Sequence, residues 1–410
     1  MDSIQTFISK IILLVGVLLA GSVTVVAQGE SGQPQNVDSQ EEGVYDPTNT
    51  AFHHISDQNV FSLGFYDVPL PVILYAPEHG VSMFLSSRFG IGEHGNGTVA
   101  VDRYVLVEGR VRRVADESFP MGEISVDDDS FDFRTEVKPD GSEGEIVYLH
   151  HEGEVYRLDN TSTLDGGLLG GGITSFYDFS PTKNVIFMII VMIFLLWVFR
   201  KAAKRYEEDA LRAPKGVQSL LEVMFIFIRD EIAKPFLGPD YMRFLPYLMT
   251  LFFLIFSINL FGQIPFLGSP NVTGNLTFTL MLAVVTMLVV SFNGTKMFWQ
   301  NTLWMPGLPG FVKPILSVVE ILGMIIKPLT LTLRLAANMT AGHIMMVIFV
   351  SMLFIFNDAG RNLVGSVPGL LLAGPLSMFM MALELIVISV QAFVFTILSA
   401  SYIGAAIAKE

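Results

Sequence analysis

The chain has no cysteine, so neither a disulfide framework nor a thiolate nucleophile or metal site is available along its 410 residues. It is also poor in charge. Only 16% of the residues are charged, 51% are apolar, and the mean hydropathy is +0.53. That composition belongs to a membrane protein. A glycine-rich phosphate loop ending in Lys-Ser or Lys-Thr is missing too, which removes the common cradle for a nucleotide. What charge there is divides unevenly. Residues 28–180 hold 27 acidic and 8 basic side chains, a balance of -19, whereas 181–410 hold 11 acidic and 16 basic, a balance of +5. Two environments meet near residue 180.

The first 27 residues carry Lys10, an apolar run from Ile11 to Val26, and the small-residue pattern of Val25 and Ala27. They read as a cleaved secretory signal peptide. The alternative is a retained first span, for which the run is short. Residues 28–44 have the polar, Gly/Gln/Ser-rich composition of a disordered linker. From 45 to 180 short runs such as Tyr104–Val107, Gly109–Val114 and Glu145–Leu149, broken by Gly, Asp and Pro, predict a small β-rich extracytoplasmic domain. Its adjacent pairs His53/His54 and His150/His151, with His79 and His94 apart, raise the possibility of a metal site. Neighbouring side chains on a strand point to opposite faces, so each pair offers one ligand at most, and surface or packing roles are preferred. Asp127-Asp128-Asp129 lacks the alternating spacing of a calcium loop and reads as a solvated turn.

From 181 to 410 the pattern is that of an all-α polytopic membrane domain. Spans are expected near 184–199, 244–266, 275–295, 314–356 and 368–408. Gly216–Gly238 mixes Glu222, Arg229, Asp230, Glu231 and Lys234 with large apolar residues, as an amphipathic helix lying at the interface does. Basic residues set the orientation. Arg200, Lys201, Lys204, Arg205, Arg212 and Lys215 follow the first span, Lys296 and Lys313 bracket the loop after the third, and Lys409 ends the sequence. The positive-inside rule places those stretches in the cytoplasm, giving five crossings with an outward N-terminal region and a cytoplasmic C-terminus. The last two tracts are too long for one perpendicular crossing: about 43 helical residues reach roughly 65 Å. They form either a steeply tilted antiparallel hairpin, which is favoured, or further short spans.

Within this hairpin stand side chains that a bilayer normally excludes: Glu320, Lys327, Arg334, Asn338 and His343 in the first helix, Glu384 and Gln391 in the second. An arginine at the centre of a bilayer costs about 2.5–3.5 kcal/mol on insertion scales, so Arg334 is read as functional. Asn338 and Gln391 have the alternative of simple interhelical hydrogen bonding, and Glu320 and Lys327 that of a place near the interface. A turn near 362 sets His343 opposite Glu384 and Arg334 opposite Gln391. At 100° per residue, Arg334 and His343 lie on opposite faces of their helix, whereas Glu384 and Gln391, nearly two turns apart, share one. A histidine and a carboxylate can relay protons; an arginine keeps its proton. Arg334 is therefore expected to meet a carboxylate of another protein. No cofactor is expected.

The stretch Leu333-Arg334-Leu335-Ala336-Ala337-Asn338-Met339-Thr340-Ala341-Gly342-His343, with Glu384 and Gln391 downstream, resembles the a subunit of F-type ATP synthases over about residues 180–410. The resemblance implies a noncatalytic, proton-translocating subunit of a bacterial inner membrane. In it Arg334 would face the ring of c subunits and separate two half-channels, and Asn338, His343, Glu384 and Gln391 would line the outward one. Partners would be the c-ring, the b subunits of the peripheral stalk, the F1 head and the lipid bilayer, and no nucleic acid. Many bacterial members carry an acid at the position of His343 and a histidine at that of Glu384, so the pair is exchanged here, as in mitochondrial members. The long N-terminal region exceeds the family pattern. A self-contained secondary transporter would need substrate-coordinating broken helices or an internal repeat, and the halves of the membrane region show no convincing repeat. A main function in the outer region would leave the buried Arg, His and Glu unexplained.

Overall fold

The computed structural model describes residues 57–408 apart from 64–65, 93–94, 128–129, 138–142, 163–173, 209–213, 265–269, 306–310 and 357–362. The expected signal peptide (1–27), the linker (28–44) and the turn of the hairpin lie outside the described residues.

From Asp57 to Ser180 short strands pair antiparallel in four small sheets. One sheet has the order β7 (Arg110–Arg113), β6 (Tyr104–Val107), β5 (Val99–Val101), β8 (Glu123–Ser125). A second is β11 (Glu154–Arg157), β10 (Glu143–His151), β9 (Phe131–Val137), and a third is β12 (Tyr177–Asp178), β3 (Pro71–Ala76), β4 (Gly80–Leu85). The pair β1 (Val60–Leu63) and β2 (Tyr66–Pro69) completes the set. Two-residue turns close the hairpins at Asp102-Arg103, Glu108-Gly109 and Glu152-Gly153, with positive φ at both positions, the backbone that matches the twist of paired strands. Gly109 is required twice over, since a Cβ there would also stand 2.7 Å from Gln58. The strand expected over Gly109–Val114 is accordingly trimmed to Arg110–Arg113.

The helical part begins with α1 (Lys183–Glu208). This helix runs well past the expected end at 199, because Arg200, Lys201, Lys204 and Arg205 are good helix formers, and Lys201 lies over the Trp197 ring at 4.8 Å. Its start is fastened from a distance. The Asp57 carboxylate accepts the Asn184 N–H at 3.2 Å and the Thr182 hydroxyl at 2.8 Å, and Lys183 N–H donates to Gln58 O at 2.9 Å. A carboxylate set against a helix N-terminus stabilises it, here from a residue 127 positions away. Phe61 and Leu70 belong to the same apolar core as Phe187 and Met188 of α1.

The region read as interfacial folds as α2 (Val217–Phe227), a π-helical stretch Ile228–Ala233, and α3 (Lys234–Leu237). Asp230 binds both Arg229, at 2.8 Å, and Lys234, at 2.6 Å, while Ile228, Ile232 and Ala233 enter the core. Gly238, at φ +54°, breaks this segment from α4 (Tyr241–Gly262). That helix stops four residues before the expected end, since Gly262 meets the loop backbone: a Cβ there would stand 2.8 Å from Pro270 O. Then come α5 (Leu276–Asn293), capped by the Asn275 side chain, and α6 (Lys296–Leu303), a short helix the sequence pattern did not announce, capped by Thr295. The chain ends with two long helices, α7 (Lys313–Phe356) of 44 residues and α8 (Leu363–Ile407) of 45. They pack on each other, α7 also on α5 and α8 also on α4. Gly404 lets α8 pass against α3, where a Cβ would collide with Phe236 O. Five helical stretches are long and apolar enough to cross a membrane.

Candidate functional site

The two faces of α7 differ in kind. The outer face is a stripe at helical spacing in which Ile326, Leu329, Leu333, Ala337, Ala341 and Met345 are exposed, and Arg334 and Asn338 are exposed among them. Among the described residues Arg334 has neither a hydrogen bond nor an ion pair. The small residues beside it, Ala337 and Ala341, leave room for another backbone to approach. Asn338 stands one turn from Arg334 and is exposed on this face, whereas His343, expected to line the same half-channel, is buried.

The opposite face is enclosed, and it holds His343 among apolar side chains such as Leu335, Met339 and Met346. His343 is 2% exposed and Glu384 of α8 is 5% exposed. His343 Nε2 lies 3.8 Å from Glu384 Oε1, near enough for a charge interaction and too long for a direct hydrogen bond. Gly342 makes the approach possible, since a Cβ there would stand 3.3 Å from the same oxygen. Neither Glu384 oxygen has a hydrogen-bond partner among the described residues. Gln263, at the C-terminal cap of α4, is close to that carboxylate, yet its amide nitrogen donates instead to Met381 O at 2.7 Å. A buried carboxylate without donors is costly unless it holds a proton or water, which is the requirement of a relay. Gln391 is buried on the Glu384 side of α8, and no hydrogen bond joins it to Arg334 among the described residues.

Four further polar residues extend this level toward the loop between α4 and α5. Asn259 of α4 and Gln263, the residue that caps its end, are buried, as are Asn271 and Thr273 of the loop. Thr273 donates to the Asn259 side-chain oxygen, Asn271 Nδ2 to Thr340 Oγ1 at 3.5 Å, and Gly274 N–H to Asn271 Oδ1 at 3.0 Å. These four carry no charge and were not among the residues expected to form the site. The signal was present in Asn259 and Gln263, two amides at i and i+4 inside an apolar span. Of the other membrane-embedded charges, Lys327 lies over the Tyr402 ring at 5.5 Å, and Glu320 is half-buried.

In the β region, His150 stands 3.7 Å from Asp132 at the surface and His151 packs near Phe119. His53, His54 and His94 lie outside the described residues. Among the described residues no three or more His, Cys, Asp or Glu side chains are grouped to hold a metal ion.

The family described as ATP synthase A chain matches residues 185–404. The chain belongs to this family. Similar proteins include the "ATP synthase subunit a" of Chloroherpeton thalassium, 35% identical over 243 residues that cover 57% of this chain and 68% of that one. That of Chlorobium phaeobacteroides (strain DSM 266) is 33% identical over 273 residues, covering 64% and 75%. The subunit of Anaeromyxobacter dehalogenans is 34% identical over 278 residues, covering 63% and 69%. Residues 50–139 match a second family, described only as a domain of unknown function. Members of the ATP synthase subunit a family are noncatalytic, multipass membrane subunits that serve ATP synthesis and ion transport within a larger complex.

Proposed function

We propose that this chain is the proton-conducting a subunit of an F-type ATP synthase in a bacterial inner membrane, where it couples proton flow to rotation of a c-ring. The observation that carries this reading is the split of α7: a guanidinium unpaired among the described residues on an exposed apolar stripe, and an enclosed His343–Glu384 pair on the other side. A guanidinium left bare toward hydrocarbon is expensive, so the Arg334 face is covered by another subunit that supplies a carboxylate.

Protons enter from the outside past the loop between α4 and α5. They pass Asn271 and Thr273 to the His343–Glu384 level, with Gln391 on the same side of α8, and protonate the ring carboxylate. The neutral carboxyl then travels through the lipid as the ring turns. On reaching Arg334 and Asn338 it gives up its proton to the inward half-channel, because the fixed positive charge favours the ionised form. Arg334 cannot itself carry the proton across, and so it blocks a direct leak. A membrane potential contributes about 2.3 kcal/mol per charge per 100 mV, so several protons are needed for each ATP.

In this arrangement the five long apolar stretches cross the bilayer, residues 1–27 are the signal, 45–180 form a β-rich domain outside, and the C-terminus is cytoplasmic. The b subunits of the peripheral stalk and the F1 head are the remaining partners. Purification in mild detergent tests the reading. Recovery with a ring of small subunits and a nucleotide-hydrolysing head is expected; a stable lone monomer that transports a solute would overturn it.

A further inference from the structure

The sheet β12-β3-β4 has one face that the proton path does not use. Its inner side, with Val72, Leu74 and Ala76 of β3, fills the core of the β region. Its outer side is apolar and exposed. Along β4 exposure alternates strictly, so that Val81 (63%), Met83 (69%) and Leu85 (50%) point outward while the residues between them do not. The register carries the same side across the sheet, Val81 pairing with Tyr75 and Tyr75 with Tyr177, and the two tyrosine rings stack at 6.2 Å. Phe179 continues the ladder through its N–H to Ile73 O and is exposed as well. No charged residue occupies an outward position of these three strands.

Exposed single apolar residues are ordinary, but a contiguous three-stranded face of them marks a contact surface. Its position identifies the contact. Phe179 precedes the first residue of α1 by four positions, which limits their separation to roughly 14 Å. Leu70, immediately before β3, packs in the same core as Phe187 and Met188 of α1, and Ser180 Oγ accepts the Ile73 N–H at 2.9 Å. The end of the sheet holding Leu85 and Phe179 is therefore fixed at the entry of a membrane-spanning helix. Two tyrosines and a phenylalanine among aliphatic side chains suit the boundary between headgroups and acyl chains, where amphipathic rings accumulate.

We propose that this face rests on the lipid bilayer, making the β region a membrane-apposed platform around the start of α1 and not a domain held free in solution. The proposal needs only that α1 enters the bilayer and is independent of the proton path.

The absence of cysteine makes a direct test available. Met83→Cys and, separately, Val81→Cys are labelled with an environment-sensitive fluorophore in the full-length chain. Each is placed in nanodiscs of phosphatidylethanolamine and phosphatidylglycerol, with and without nitroxide-bearing lipids. Val155→Cys on β11, 49% exposed, serves as the reference. The proposal expects blue-shifted emission, loss of signal to the lipid nitroxide and protection from aqueous iodide at 83 and 81, with the reverse at 155. Quenching by iodide at 83 and 81 would overturn it. So would protection from both quenchers, which would mean that a protein partner or a second copy covers the face.

Discussion

His343 and Arg334 sit on one helix, nine residues apart, and live in opposite surroundings. The imidazole is enclosed with a carboxylate 3.8 Å away and amides on neighbouring elements. The guanidinium stands exposed among alanines and leucines, with no acid to meet it among the described residues. A structural ion pair would have joined the two halves of the hairpin; here the fixed charge and the titratable groups are kept apart by the helix itself. Groups able to exchange a proton are gathered on the enclosed side, and the group that cannot is presented on the exposed one, which in the proposed function another subunit covers.

The largest expected effect follows from removing the fixed charge. Arg334→Ala should lower ATP-driven proton pumping in inverted vesicles by at least about 100-fold, the scale on which a preorganised electrostatic group contributes, while the complex still assembles. Pumping at the normal rate would leave the two faces of α7 without distinct roles. Glu384→Gln keeps the shape of the enclosed side and removes its ability to take up a proton. Flux should fall by about 10- to 100-fold, toward the lower end of what positioned acid–base groups supply, and most steeply where proton uptake limits turnover. Unchanged flux between about pH 6 and about pH 9 would take Glu384 out of the relay.

A second buried carboxylate sharpens the contrast. Asp178, 7% exposed, accepts the Ser180 N–H at 2.8 Å, while its own N–H donates to Ser162 Oγ at 3.0 Å. Burial nevertheless pushes its carboxyl up from 3.8 to about 6. Between those values the native state holds a proton that the unfolded chain has released, so stability falls as pH rises through the window. The total is up to about 3 kcal/mol. Asp178→Asn should flatten that pH dependence in thermal unfolding of the full complex and leave proton flux unchanged. A loss of flux equal to that of Glu384→Gln would erase the distinction between a structural and a conducting carboxylate.

The apolar tracts of α7 and α8 were legible because few other patterns run beyond 40 residues without a polar turn. Counting outward from a turn near 362 placed His343 beside Glu384, and a 100° step placed Arg334 on the other face. The amides of α4 and its loop were not legible in the same way. Asn259 and Gln263 could have been noticed by spacing, but Asn271 and Thr273 take their meaning from a loop folded back on Gly262, a long-range contact that no local pattern encodes. The Asp57 cap on α1 was hidden for the same reason: its partners are Thr182 and Asn184, more than 120 residues later. In α1 the basic residues suggested the end of the span near 199 without showing that the helix continues through them.

Disulfide formation across the subunit boundary tests most directly which face of α7 meets the partner. With no native cysteine in the chain, Ala337→Cys can be combined with a cysteine placed beside the membrane carboxylate of the ring subunit, and Met339→Cys, 1% exposed, provides the comparison. The account predicts oxidative cross-linking at 337 and none at 339. Cross-linking at 339 with none at 337 would contradict it, because the ring would then touch the face assigned here to the proton relay.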